Sequence, residues 1–116
     1  MDSGEQRRSK YDELLSFIDG RTVLTREERA AMNTLLWSFQ EEWMYLWLRT
    51  RDRGLLSEII SLAHRLQALG RERGIAVVTL YGQVLEERAL SFDHTDYEEV
   101  LRLFPQLVQA LGAAVS

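Results

Sequence analysis

The side chain best suited to chemistry near neutral pH is His64, in the stretch AHRLQALGRERG, Ala63 to Gly74. Neutral imidazole is a competent nucleophile there, because its unperturbed pKa is about 6.5. At roughly 100° per residue, Leu55, Ile59, Leu62, Leu66 and Leu69 form one apolar helix stripe, and His64 points about 150° away from its centre. On the histidine's side stand Ile60 one turn before, Gln67 and Ala68 one turn after, and Arg71 two turns after. Such a face offers a nucleophile, an apolar footing, a small residue and polar donors. An exposed ring on a rigid helix can attack a phosphoryl group presented by another protein, whose oxygens then need donors or positive charge one turn away. No acid–base pair, metal triad or glycine-rich phosphate loop is readable. The other histidine, His94, is expected in a turn ahead of a helix.

The elements that position this face are helices. One proline and seven glycines in 116 residues leave little punctuation. A first helix is expected over Lys10 to Asp19, capped by Ser9, with Tyr11, Leu14, Leu15 and Ile18 on one side and Gly20 ending it. Thr25 and Glu28 form a capping box that opens a second helix, expected to run to about Thr50. Met32, Leu35, Leu36, Phe39, Trp43, Leu46 and Trp47 recur along it at helical spacing. Gly54 separates it from a third helix, Leu55 to Arg73, which Gly74 closes. A fourth is expected over Ile75 to Phe92, with Val78, Tyr81, Val84, Leu85 and Ala89 inward, although AVVTLY also has strand propensity. Thr95 and Glu98 repeat the capping box and open a fifth helix carrying Tyr97, Val100, Leu101, Phe104, Leu107, Val108 and Leu111. Pro105 predicts a kink or restart near Phe104. The fold class expected is all-α: an antiparallel up-down four-helix bundle with a short additional N-terminal helix. Residues 1–9 are expected to be a loosely ordered tail and residues 10–116 a single domain. The three tryptophans are expected to supply much of the core.

Composition narrows the function classes. The net charge is −4, which argues against a nucleic-acid binder. The basic cluster Arg49 to Arg53 reads as a solvated helix end. The longest dense apolar run, Trp43 to Leu48, is far short of the ~20 residues that cross a bilayer, so no membrane association is expected. The polar N-terminus offers no signal-peptide core. There is no cysteine, hence no disulfide or thiolate chemistry, and a cytoplasmic location is the default expectation.

The motif His64-Arg-Leu66-Gln67-Ala68, with Gly74 ten residues after the histidine, resembles the His-x-Leu-Lys-Gly pattern of histidine-containing phosphotransfer (HPt) domains of two-component phosphorelays. Val78, Tyr81 and Leu85-Glu86 match the pattern of that family's next helix. The ending FDHTDYEEVLRLFPQLVQAL is similar to the last helix of such domains in hybrid sensor kinases. The resemblance spans about Glu28 to Leu111. It implies that His64 accepts a phosphoryl group from a receiver aspartate, that Gln67 and Arg71 contact the phosphoryl oxygens, and that Ile60, Ala68 and Glu86 form the docking surface. It implies a non-enzymatic carrier with no cofactor of its own, since the receiver carries Mg²⁺. Its partners are a response-regulator receiver domain or sensor histidine kinase, and the isolated domain is expected to be monomeric. Two positions depart from the pattern: Gln67 stands for lysine and Ala68 for glycine. Two alternatives therefore stay open. One is a phosphorylation-inert module that only binds a receiver or kinase. The other is a helical adaptor of a different class, oligomerising through the Trp43–Trp47 segment.

Overall fold

The computed structural model of the chain describes the backbone of residues 3–91 and 94–115 and the side chains of residues 10–91 and 97–115. Helix α1 spans Ser3–Ile18, α2 Arg26–Ser38, α3 Met44–Arg53, α4 Leu56–Arg73, α5 Ala76–Leu90, α6 His94–Arg102 and α7 Phe104–Val115. No strand occurs among the described residues: AVVTLY lies in α5. Helix α1 begins at Ser3, seven residues ahead of the expected start at Lys10, so residues 3–9 of the expected tail are helical and Ser9 lies within the helix rather than capping it. Thr95 likewise lies inside α6, which begins at His94, and not at its cap. The side chains of residues 1–9 and 92–96 lie outside the described residues.

Helices α2 and α3 are one continuous rod joined by a π turn, Phe39–Trp43. The Met44 N–H reaches back to the Phe39 carbonyl, a five-residue step in place of the usual four. Ser38, Trp43 and Met44 all keep right-handed helical dihedrals, so the axis runs on to Arg53, three residues past the expected end. The two sharp reversals fall at Gly54 (φ 64°) and Gly74 (φ 71°). A side chain at a left-handed φ strains the backbone, so glycine is what lets α3 and α4 stop there. Each glycine N–H closes its helix, on Thr50 O and Gly70 O respectively.

The expected capping box is present. Thr25 Oγ1 accepts from the Glu28 N–H (3.1 Å), and Glu28 Oε1 accepts from the Thr25 N–H (2.9 Å). The other carboxylate oxygen, Oε2, accepts from the Ala76 N–H (2.9 Å). Glu28 therefore satisfies free N–H groups at the starts of both α2 and α5. At the other end Leu103 interrupts the chain between α6 and α7, and Pro105 sits in the first turn of α7, where its missing N–H does no harm. The restart at Phe104 is as expected.

Helix α5 packs against α1, α4 and α6, while α2 and α1 meet α7, and α3 meets α4. Tyr81 of α5, Phe39 of the π turn and Phe104 of α7 are fully buried, with Phe104 5.5 Å from the Tyr81 ring and 6.2 Å from Phe39 and Trp47. The Tyr81 hydroxyl donates to Val100 O (2.9 Å) and the Trp47 indole to Leu101 O (2.7 Å), so both buried donors are satisfied. The radius of gyration, 13.5 Å, is that of a compact chain of this length.

Three side-chain expectations need correction. Of the three tryptophans only Trp47 belongs to the core. Trp43 is half-buried, and Trp37 is 67% exposed because it lies on the outer side of α2. Leu55 is exposed, since it precedes α4 rather than lying in it, and Leu69 is only half-buried. Phe17 and Val77 are buried without having been expected there. No helix among the described residues is long and apolar enough to cross a membrane.

Candidate functional site

The site lies where α4 and α5 run against each other. Gly70 faces Thr79, Gln67 faces Gly82, and His64 faces Glu86. The numbers climb along one helix as they fall along the other, so the pair is antiparallel. Two glycines allow the contact. A Cβ on Gly82 would stand 2.6 Å from Ala63 O and 2.7 Å from Gln67 Cγ, and one on Gly70 would collide with Thr79. With neither present the two backbones nearly touch.

That approach brings a chain of polar side chains into line along the seam. Arg71 Nη2 donates to Gln67 Oε1 (3.4 Å). Gln67 Nε2 donates to Gly82 O (3.2 Å) and to Glu86 Oε1 (2.8 Å). Glu86 Oε2 meets His64 Nε2 at 2.6 Å. Both carboxylate oxygens of Glu86 are thereby engaged. The Gln67 amide first, then the His64 ring, hold the Glu86 carboxyl below its ordinary range, against the opposing pull of partial burial. Glu86 is accordingly ionised at neutral pH and can only accept, so His64 Nε2 carries the proton in this pairing.

His64 lies at the middle of α4 with 58% of its side chain exposed, as the helix wheel predicts. Of the other residues expected at the site, Ala68 and Arg71 are exposed and Ile60 and Glu86 half-buried. Gln67 is placed differently. The wheel sets it beside His64 as a surface donor, yet it is 6% exposed with its amide directed at α5. The close approach at Gly82 draws it under the partner helix. His94 begins α6 rather than standing in a turn before it, and its side chain lies outside the described residues.

One neighbour escaped the sequence reading. Leu90 is 51% exposed, one turn beyond Glu86, and the same antiparallel register sets it opposite Ile60. The two give the histidine an apolar shoulder. The signal that would have found Leu90 is the register itself, which no single-helix pattern contains. Among the described residues no group of three or more His, Asp or Glu side chains is arranged to hold a metal ion.

A comparison with protein-family models finds no match, and comparisons with curated proteins and with solved structures find none either.

Proposed function

We propose that this chain is a phosphoryl carrier of the histidine phosphotransfer kind, working in the cytoplasm between receiver domains or between a sensor kinase and a receiver. On this reading the rod from α2 to α3, α4, α5 and the α6–α7 pair make an antiparallel up-down four-helix bundle, with α1 as the additional helix. The observation that carries the proposal is the imidazole of His64. It projects from the middle of α4, is mostly exposed, and has its Nε2 held by Glu86 Oε2. An apolar shoulder, Ile60 and Leu90, stands on one side and the exposed Ala68 and Arg71 on the other. This is a surface for another protein to land on rather than a cleft for a small substrate.

The step is a transfer between acyl phosphate and imidazole. Docking moves the Glu86 carboxylate off Nε2. The proton passes through solvent to Nδ1, which leaves the Nε2 lone pair facing the phosphorus. The N–P bond forms as the P–O bond to the receiver aspartate breaks, and that aspartate departs as a carboxylate. The partner supplies the aspartate and its Mg²⁺. Arg71 offers charge to the phosphoryl oxygens, and Gln67 can do so only by releasing Glu86.

The second reading, a phosphorylation-inert docking module, is favoured by one specific observation. Gln67 and Glu86 are consumed by each other, and the carboxylate sits where a doubly charged phosphoryl group has to arrive. One experiment decides. The chain is incubated with a radiolabelled phosphorylated receiver, alongside His64→Gln. Acid-labile, base-stable label on the native chain and none on the variant supports the carrier. Receiver binding without label on either supports the inert module. Label on both places the acceptor elsewhere and overturns the assignment of His64.

A further inference from the structure

The outer side of the α2–α3 rod carries large side chains that the fold leaves uncovered. Trp37 is 67% exposed, Tyr45 63% and Leu48 40%. The wide π turn keeps Trp37, Glu41 and Tyr45 nearly in line, and Leu48 and Arg49 follow one turn later. Single exposed apolar residues are ordinary, but a row of them on one helix marks an interface.

The charges on the row say what covers it. Glu41 stands four residues before Tyr45 and Arg49 four after, and both are exposed. Neither has an ion-pair partner among the described residues, although Arg51, Arg53 and Glu58 nearby are paired. A two-fold axis through Tyr45, perpendicular to the rod, exchanges these two positions. A second copy laid antiparallel across the row therefore sets Glu41 of each chain against Arg49 of the other, with the two Tyr45 rings at the centre. An isologous contact needs such a self-complementary surface. The acidic and basic positions are symmetric about Tyr45, the middle one of the three exposed large side chains on the rod.

We infer that the chain forms a two-fold symmetric dimer through the outer face of the α2–α3 rod, centred on Tyr45. The partner is a second copy of this chain. This inference stands apart from the phosphotransfer reading and replaces the monomer expected from the sequence.

The test is mass in solution by light scattering and sedimentation equilibrium across a concentration series, on the full chain. A dimer of twice the 13.5 kDa chain mass is expected. Tyr45→Arg gives a monomer. Glu41→Arg and Arg49→Glu each turn two attractive pairs into two repulsive ones and weaken the dimer about tenfold or more, whereas the double reversal restores both pairs and most of the affinity. All three positions are exposed, and circular dichroism checks that each variant is folded. A native chain that stays monomeric at every concentration overturns the proposal. A dimer that ignores Tyr45→Arg and the single reversals overturns this face. Single reversals that weaken the dimer without rescue by the double overturn the two-fold axis through Tyr45.

Discussion

Gly82 is the position where a single methyl group should reveal most. In an ordinary exposed helix, glycine to alanine gains about 1 kcal/mol from helix propensity. Here the added Cβ would stand 2.6 Å from Ala63 O, 2.7 Å from Gln67 Cγ and 2.9 Å from Gln67 N. Two of those three atoms are backbone, so no rotamer change relieves them, and α4 and α5 must separate. Overpacking of this kind costs about 1–3 kcal/mol, and the rigid neighbours put Gly82→Ala at the upper end. Subtracting the propensity gain leaves a net loss of about 2 kcal/mol. For a chain of 116 residues, unfolding entropy near 2.1 cal/mol/K per residue converts this to a melting temperature about 8 °C lower. The assay is thermal and urea unfolding followed by circular dichroism. Gly112→Ala is the internal control, because its Cβ meets nothing closer than 3.8 Å, and it should stabilise by about 0.5–1 kcal/mol. If Gly82→Ala proves as stabilising as Gly112→Ala, the tight seam between α4 and α5 is wrong, and with it the burial of Gln67.

Three further outcomes follow from particular contacts. The folded-state pKa of Glu86 is depressed, so its stabilising contribution is present above the unfolded value near 4.5 and fades as pH falls through the lower folded value. Carboxyl-detected NMR titration should show the Glu86 pKa rising in both Gln67→Leu and His64→Ala, since the amide and the imidazole each hold it down. Glu28→Ala leaves the Thr25 and Ala76 N–H groups without their acceptor and should cost about 1–2 kcal/mol, with faster amide exchange at the starts of both α2 and α5. Burial raises the Tyr81 pKa well above 10.0, so absorbance titration should find a tyrosine that ionises only as the protein unfolds, and stability should fall as pH climbs past that ordinary value. Tyr81→Phe removes that signal and costs about 1 kcal/mol through the lost bond to Val100.

The helix ends between α2 and α5 and the restart at Phe104 were legible because their signals are local, whereas Ser9 and Thr95 looked like caps and lie inside α1 and α6. The Thr25–Glu28 box, Gly54, Gly74 and the restart at Phe104 each depend on residues within a turn of one another. The outward direction of His64 was legible for the same reason, since it follows from one helix's own periodicity. What depended on a second helix was hidden. Gln67 sits on the outward side of its own wheel and becomes buried only because Gly82 admits it beneath α5. The pairing of Glu86 with His64 needs the antiparallel register, and so does Leu90. Helix α5 has apolar residues nearly all round, and this blurred its period and made AVVTLY read as a possible strand; the cause is that α1, α4 and α6 all cover it. Trp37 was assigned inward on residue type alone, and it stands on the outer side of the rod, where no described residue buries it.

The π turn has a consequence for what the chain tolerates. Phe39 and Trp47 both look inward although eight residues of rod separate them, a spacing that in a plain helix leaves them about 80° apart. The turn absorbs that surplus, which makes it one residue of slack. Deleting Gln40, which is exposed, should let the segment tighten into ordinary helix with both aromatic anchors still facing the interior. The same deletion a few positions earlier, between Met32 and Phe39, finds no slack to draw on and swings one half of the rod by about 100° against the other.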